Sequence, residues 1–211
     1  MTGKIITVAQ QKGGSGKTTL AVNLAVAGLR AGQSVALIDT DPQGSLGRWF
    51  MTRLERLEGV PDMEFSTASA WGVGYEVGKL SKACDLVIID TPPKVDSDLK
   101  PALRAADLVV VPVATSHLDL WATEGVLDLA DRVGKPTLLV LNRTRAGTRL
   151  GAEVAEAAGQ TAADLADAHL ANRIVYAETL GQGLGAQEAA RKGAAVAEVE
   201  ALHREIMEMF E

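Results

Sequence analysis

The sequence is short of several things at once. Of 211 residues only Cys84 is a cysteine, and aromatic residues make up 4%. A single thiol cannot close an internal disulfide, and alone it cannot hold zinc or an iron–sulfur cluster. Cys84 stands at the start of an apolar run and reads as a small buried hydrophobe. With so few rings, the core must be built from Ala, Val, Leu and Ile. No uninterrupted apolar stretch approaches the roughly 18 residues that a membrane-spanning helix needs, and the first residues carry no signal-peptide pattern, so a cytoplasmic location is expected. Positive charge is also in deficit: 21 Lys and Arg against 27 Asp and Glu give a formal charge of −6. That argues against coating nucleic acid through bulk positive charge, although a local basic patch stays open. His117, His169 and His203 lack the spacing of a metal-ligand set.

What is present is an ordinary globular balance, 47% apolar and 23% charged. Short unbroken apolar runs at 5–9, 34–38, 86–89, 108–113 and 137–141 read as strands covered on both faces, as in a parallel sheet. Between them, 18–30, 75–84 and 118–133 have helical periodicity, with Gly32 and Gly134 marking helix ends. Residues 150–168 are Ala-rich and helix-prone, Gly181, Gly183 and Gly185 mark a loop, and 187–210 reads as one long closing helix. The alternation predicts an α/β fold: a mostly parallel twisted sheet with helices on both faces and right-handed crossovers. No repeat or composition break divides the chain, so one domain over 1–211 is expected.

The densest chemical signal is Lys12-Gly13-Gly14-Ser15-Gly16-Lys17-Thr18-Thr19, placed after the first strand and opening the first helix. Glycines let successive N–H groups turn inward around phosphate oxygens, and the helix N-terminus adds unpaired donors and partial positive charge. Lys17 suits the β- and γ-phosphates, and the Thr18 hydroxyl suits Mg²⁺. The match to the ordinary phosphate loop is imperfect. Its first glycine would fall at Gln11, and a second lysine, Lys12, precedes the glycines.

With that lysine the sequence resembles the deviant Walker A ATPases, the group of the partition (ParA-like) and division-site (MinD-like) ATPases. The resemblance implies a P-loop fold that binds ATP and Mg²⁺ and forms a homodimer when ATP is bound. Lys12 would reach across that dimer to the partner's phosphates and stabilise transition-state charge, as an arginine finger does. Leu37-Ile38-Asp39-Thr40-Asp41-Pro42-Gln43-Gly44 has the form of the family's first switch, and its Asp-Pro-Gln-Gly is typical of the partition branch. By that resemblance Asp39 lies near the Mg²⁺ waters and Asp41 positions or activates the attacking water. Asp85 to Pro93 has the Walker B layout, with Asp90 holding Mg²⁺ through a water and Thr91-Pro92-Pro93 as the second switch. Asn142, closing another strand, would contact adenine, and 171–181 would close over the base.

Function is less sharply marked. Arg132, Lys135, Arg143, Arg145 and Arg149 lie in a window without acids, between Asp131 and Glu153. Paired across a dimer, such a patch would suit the phosphate backbone of non-specific DNA, with Arg143, Arg145, Arg149 and Arg173 as contact residues chosen on charge alone. Division-site ATPases end in a basic amphipathic helix that lies on lipid. Here 195–211 carries five glutamates against Arg204, so no membrane role is expected. The expected function is an ATPase of the small partition type that positions DNA or a protein cargo over the nucleoid. A ParB-like or cargo-adaptor partner would stimulate its slow hydrolysis. A metabolic ligase on the same scaffold, of the dethiobiotin synthetase or cobyrinic amidase kind, is the alternative.

Overall fold

The computed structural model describes residues 2–93, 99–190 and 192–211. Among these residues eight strands form one sheet: β1 (Lys4–Val8), β2 (Val35–Asp39), β3 (Glu64–Thr67), β4 (Leu86–Asp90), β5 (Leu108–Ala114), β6 (Thr137–Thr144), β7 (Asp164–Leu165) and β8 (Leu170–Ala171). Their order is β3-β2-β4-β1-β5-β6-β7, with β8 also on β6, and every pairing is parallel. β2 and β4 are buried along their whole length, as their unbroken apolar runs require.

Among the described residues ten α-helices connect or follow the strands: α1 (Lys17–Arg30), α2 (Ser45–Arg56), α3 (Val73–Leu80), α4 (Leu99–Ala105), α5 (His117–Trp121), α6 (Glu124–Arg132), α7 (Arg149–Gly159), α8 (Ile174–Leu180), α9 (Ala186–Ala189) and α10 (Ala194–Glu208). Alternation along the strands separates two apolar layers. Ile6, Val8, Leu37, Ile88 and Val110 pack with α1, α2 and α10. Val109, Val111 and Leu139 pack with α4, α6 and α7, while Ile38, Val87 and Ile89 pack with α3. The buried Cys84 belongs to this second face.

Two long helices expected from periodicity are interrupted. The 118–133 segment breaks at Ala122–Thr123, where the Thr123 hydroxyl bonds the Leu120 carbonyl at 2.6 Å, a side-chain bond that competes with the helical ladder. The closing segment splits into α9 and α10 because Ala190 is extended and Gly193 has φ +155°. Residues 150–168 also divide: α7 ends at Gly159, and the chain then pairs as β7.

A parallel sheet gathers all its strand ends on one edge. Register places Val8 opposite Asp90 and Asp39 opposite Asp90, so three adjacent strands stop at the same level. Ligands bind outside this edge in open α/β sheets.

Candidate functional site

The segment after β1 turns through Gly14 (φ +75°) and Gly16 (φ +96°) before α1 begins. Both angles lie in the left-handed region that glycine enters without steric cost. At Gly16 a second constraint acts: a Cβ would collide with the Asn142 Nδ2. That amide donates to the Ser15 carbonyl at 2.8 Å, while its Oδ1 accepts the Arg143 N–H at 2.9 Å. Asn142 is buried at the end of β6. Both ends of its amide are therefore engaged within the chain, and it clamps the phosphate loop from the neighbouring strand end.

Around this loop lies a cavity of about 470 Å³. Gly13, Gly14, Gly16, Lys17, Thr18 and Thr19 line one side, and Asp41, Ser45, Arg48, Trp49, Thr52 and Pro93 another, with Arg143, Leu180 and Gly181 completing it. Lys17 is buried, and desolvation lowers its pKa against the opposing pull of Asp90 and Asp41. The Thr18 hydroxyl donates to Asp90 Oδ2 at 2.6 Å. Asp39 Oδ1 accepts the Asp41 N–H at 3.0 Å, and its Oδ2 accepts the Gly47 N–H at 2.9 Å, which fixes the first turn of α2 to the strand end. Burial raises the Asp39 pKa even though these backbone bonds lower it. The Asp41 carboxylate accepts the Gln43 N–H at 2.9 Å. The Thr91 hydroxyl bonds the Val8 carbonyl at 2.8 Å and ties the segment after β4 to β1.

Asp90 is the most perturbed of these acids. It is 1% exposed, and burial pushes its pKa up to about 7; the Thr18 bond and Lys17 act the other way, and Asp39 adds to the rise. Its Oδ1 is buried with no hydrogen-bond partner among the described residues. An orphaned carboxylate oxygen beside a phosphate loop calls for a cation or an ordered water. Among the described residues, no three His, Cys, Asp or Glu side chains form a metal-chelating group by themselves. The donor set fits an ion held jointly by the Thr18 hydroxyl, phosphate oxygens and waters on Asp90 and Asp39, which is the usual way Mg²⁺ is bound.

Lys12 does not line this cavity. Its Nζ lies 2.8 Å from Asp119 at the start of α5, with the lysine side chain 41% exposed. Asp119 also receives the Ser116 hydroxyl, and Ser116 Oγ in return accepts the Asp119 N–H at 3.1 Å as the helix cap.

The four arginines chosen by charge are dispersed in role. Arg143 lines the cavity itself, with its backbone at φ +55°, an uncommon conformation for a residue that carries a side chain and one that tends to persist at functional sites. Arg145 is exposed, and Arg149 is exposed beside Glu153 at 3.4 Å. Arg173 is turned back onto Glu198 at 2.6 Å. Sequence reasoning missed the α2 wall. Trp49 is 3% exposed and donates Nε1 to the Leu184 carbonyl at 3.2 Å. The C-terminal glutamates are not all a solvated face: Glu205 accepts the N–H groups of Asp167 and Ala168, and Glu198 that of Ala171. Among the described residues, no helix is long and apolar enough to cross a membrane.

Comparison with known proteins agrees with this geometry. Maintenance of carboxysome distribution protein A of Halothiobacillus neapolitanus is 27% identical over 199 residues, covering 92% of this chain and 91% of the relative. Chromosome-partitioning ATPase Soj of Thermus thermophilus is 35% identical over 153 residues, 61% of each chain. The crystal structure of a plasmid partition protein of Borrelia burgdorferi bound to AMPPNP superposes with a TM-score of 0.71 at 21% identity, covering 99% of this chain and 98% of the other. Residues 6–176 match the CobQ/CobB/MinD/ParA nucleotide-binding domain, and the chain belongs to that family.

Proposed function

We propose that the protein is an ATPase that dimerises around bound ATP and positions DNA or a protein cargo, with hydrolysis stimulated by a partner protein. The position of Lys12 carries this reading. Its ammonium lies outside its own nucleotide cavity and half exposed, so it is free to serve a cavity on another chain once it leaves Asp119. Only the lysine end of this pair faces solvent, Asp119 being 8% exposed, and Asp119 keeps the Ser116 hydroxyl as a donor when Lys12 leaves, so a phosphate on a second chain can take the ammonium.

Within each cavity, the loop N–H groups and Lys17 bind the phosphates, and Asn142 holds the loop in its binding conformation through the Ser15 carbonyl. Thr18, Asp39 and Asp90 would hold Mg²⁺, which would supply neutralisation of phosphate charge. A cation there would favour the ionised form of Asp90 despite its burial. Asp41, exposed to the cavity at the end of the first switch, positions the attacking water. The Asn142 amide acts on the loop, and the expected adenine contact competes with the two bonds it already makes. DNA contact falls to Arg145 and Arg149, doubled in the dimer, because Arg143 lines the nucleotide cavity and Arg173 is held on Glu198 at 2.6 Å, whereas Arg149 stays 93% exposed beside Glu153.

The test is ATP turnover with Mg²⁺, measured alone, with double-stranded DNA, and with small carboxylic acids. Slow turnover that needs no acid, together with retention on DNA only in the ATP state, is the expected result. Turnover strictly dependent on an acid substrate would make the protein a ligase and overturn the proposal.

A further inference from the structure

Two walls of the nucleotide cavity are cross-linked by an ion network centred on the buried Arg53. One wall is α2, contributing Ser45, Arg48, Trp49 and Thr52; a second is the end of α8 with Leu180 and Gly181. Arg53 projects from α2 and is 4% exposed. It uses all five of its N–H donors. Nε and Nη2 form a fork on Asp62 at 2.9 and 2.6 Å, Nη1 and Nη2 a second fork on Glu188 at 2.9 Å each, and Nη1 also reaches the Gly183 carbonyl at 3.0 Å. Burial alone would lower the guanidinium pKa, but the two carboxylates outweigh it and hold it above its ordinary value.

The two forks differ in what they join. Asp62 lies in the connection from α2 to β3, on the same side as Arg53. Glu188 lies in α9, beyond the loop that follows α8. The Glu188 carboxylate also accepts the Gly185 N–H at 2.9 Å, and the next residue, Ala186, donates to Asn23 Oδ1 at 2.8 Å. Asn23 in turn donates to the Thr19 carbonyl at 2.8 Å, within the first turn of the phosphate-loop helix. Gly183 packs so closely on α2 that a Cβ would overlap the backbone of Arg53 and Thr52. At its other end α2 is fixed to Asp39 through Gly47. A closed circuit therefore runs from the phosphate-loop helix through the 183–188 loop and Arg53 to the first switch.

We infer that Arg53 and Glu188 are positioning residues for the nucleotide: their ion pair sets the distance between the two cavity walls and so the affinity for ATP, without touching it. This rests on the nucleotide reading of the cavity. Separating the two walls loosens every contact made across them, whereas loss of Asp62 (35% exposed, against 24% for Glu188) removes an equivalent two-bond fork on one side only.

The experiment measures dissociation of a fluorescent non-hydrolysable ATP analogue with Mg²⁺ for wild type, Glu188→Gln and Asp62→Asn, with thermal unfolding of each. Glu188→Gln should weaken binding by about tenfold, a size in keeping with one lost cross-wall interaction. Asp62→Asn should lower the unfolding temperature comparably yet leave affinity within about twofold. Glu188→Asp keeps the charge and the fold but shortens the reach, and should give an intermediate loss of about threefold. Affinity that is unchanged in Glu188→Gln and Glu188→Asp, or lowered equally by Asp62→Asn, overturns the inference. Failure of wild type itself to bind the analogue would refute the nucleotide reading instead.

Discussion

The clamp between Asn142 and the phosphate loop can be tested by a double-mutant cycle. Asn142→Ala leaves the Ser15 carbonyl without its buried donor, at a cost of about 2 kcal/mol for an unpaired buried group. Gly16→Ala introduces two penalties. A residue with a side chain at φ +96° costs about 1–2 kcal/mol. The new Cβ also drives the Asn142 amide off Ser15, forfeiting the same bond for about 2 kcal/mol. Gly16→Ala alone should therefore cost about 3–4 kcal/mol. With Asn142 already replaced, the collision disappears and only the backbone strain adds. The double variant should then be no less stable than Gly16→Ala, a coupling of about 2 kcal/mol. Equilibrium urea unfolding without nucleotide measures all four corners of the cycle. Additivity within about 0.5 kcal/mol would refute the clamp.

Asp90 gives a pH prediction. Its native pKa of about 7 exceeds the ordinary 3.8, so the folded state holds the proton more tightly and stability falls as pH rises from about 4 to about 7. At about 1.4 kcal/mol per pH unit, the full penalty is on the order of 4 kcal/mol. Asp39, also raised, acts with the same sign. Asp90→Asn should flatten the decline between pH 5 and about 7.5 in urea unfolding, and an unchanged slope would contradict it. On the DNA face, reversing Arg145 and Arg149 to Glu should abolish ATP-dependent DNA retention in a filter assay while leaving nucleotide affinity unchanged, with residual binding counting against these positions.

The parts of the site that are contiguous in sequence were legible there. The phosphate loop, the Asp39–Asp41 switch and the Asp90 strand end each sit in one short run, because a strand end and the turn after it must hold their chemistry locally. Strands β2 and β4 were legible for a related reason, since burial on both faces leaves an unbroken apolar run. The edge strand β3, Glu64–Thr67, has neither a continuous nor a clean alternating pattern and was missed. Side chains that work across the fold carried no local signal. Arg53 resembles any basic residue of an amphipathic helix, and its partner Glu188 lies 135 positions away. Asn142 was found through resemblance, yet its bond to Ser15 spans 127 positions and no local pattern reports it. The acidic α10 misled in the same way: Glu198 and Glu205 look like a solvated face but serve backbone donors of the 167–171 segment.

The most direct measurement concerns Lys12. Light scattering coupled to size exclusion, with a non-hydrolysable ATP analogue and Mg²⁺, compares wild type with Lys12→Ala. A dimer for wild type and a monomer that still binds nucleotide for Lys12→Ala is the expected result. A Lys12→Ala protein that dimerises as wild type does would contradict the assignment of this lysine to a second chain's nucleotide.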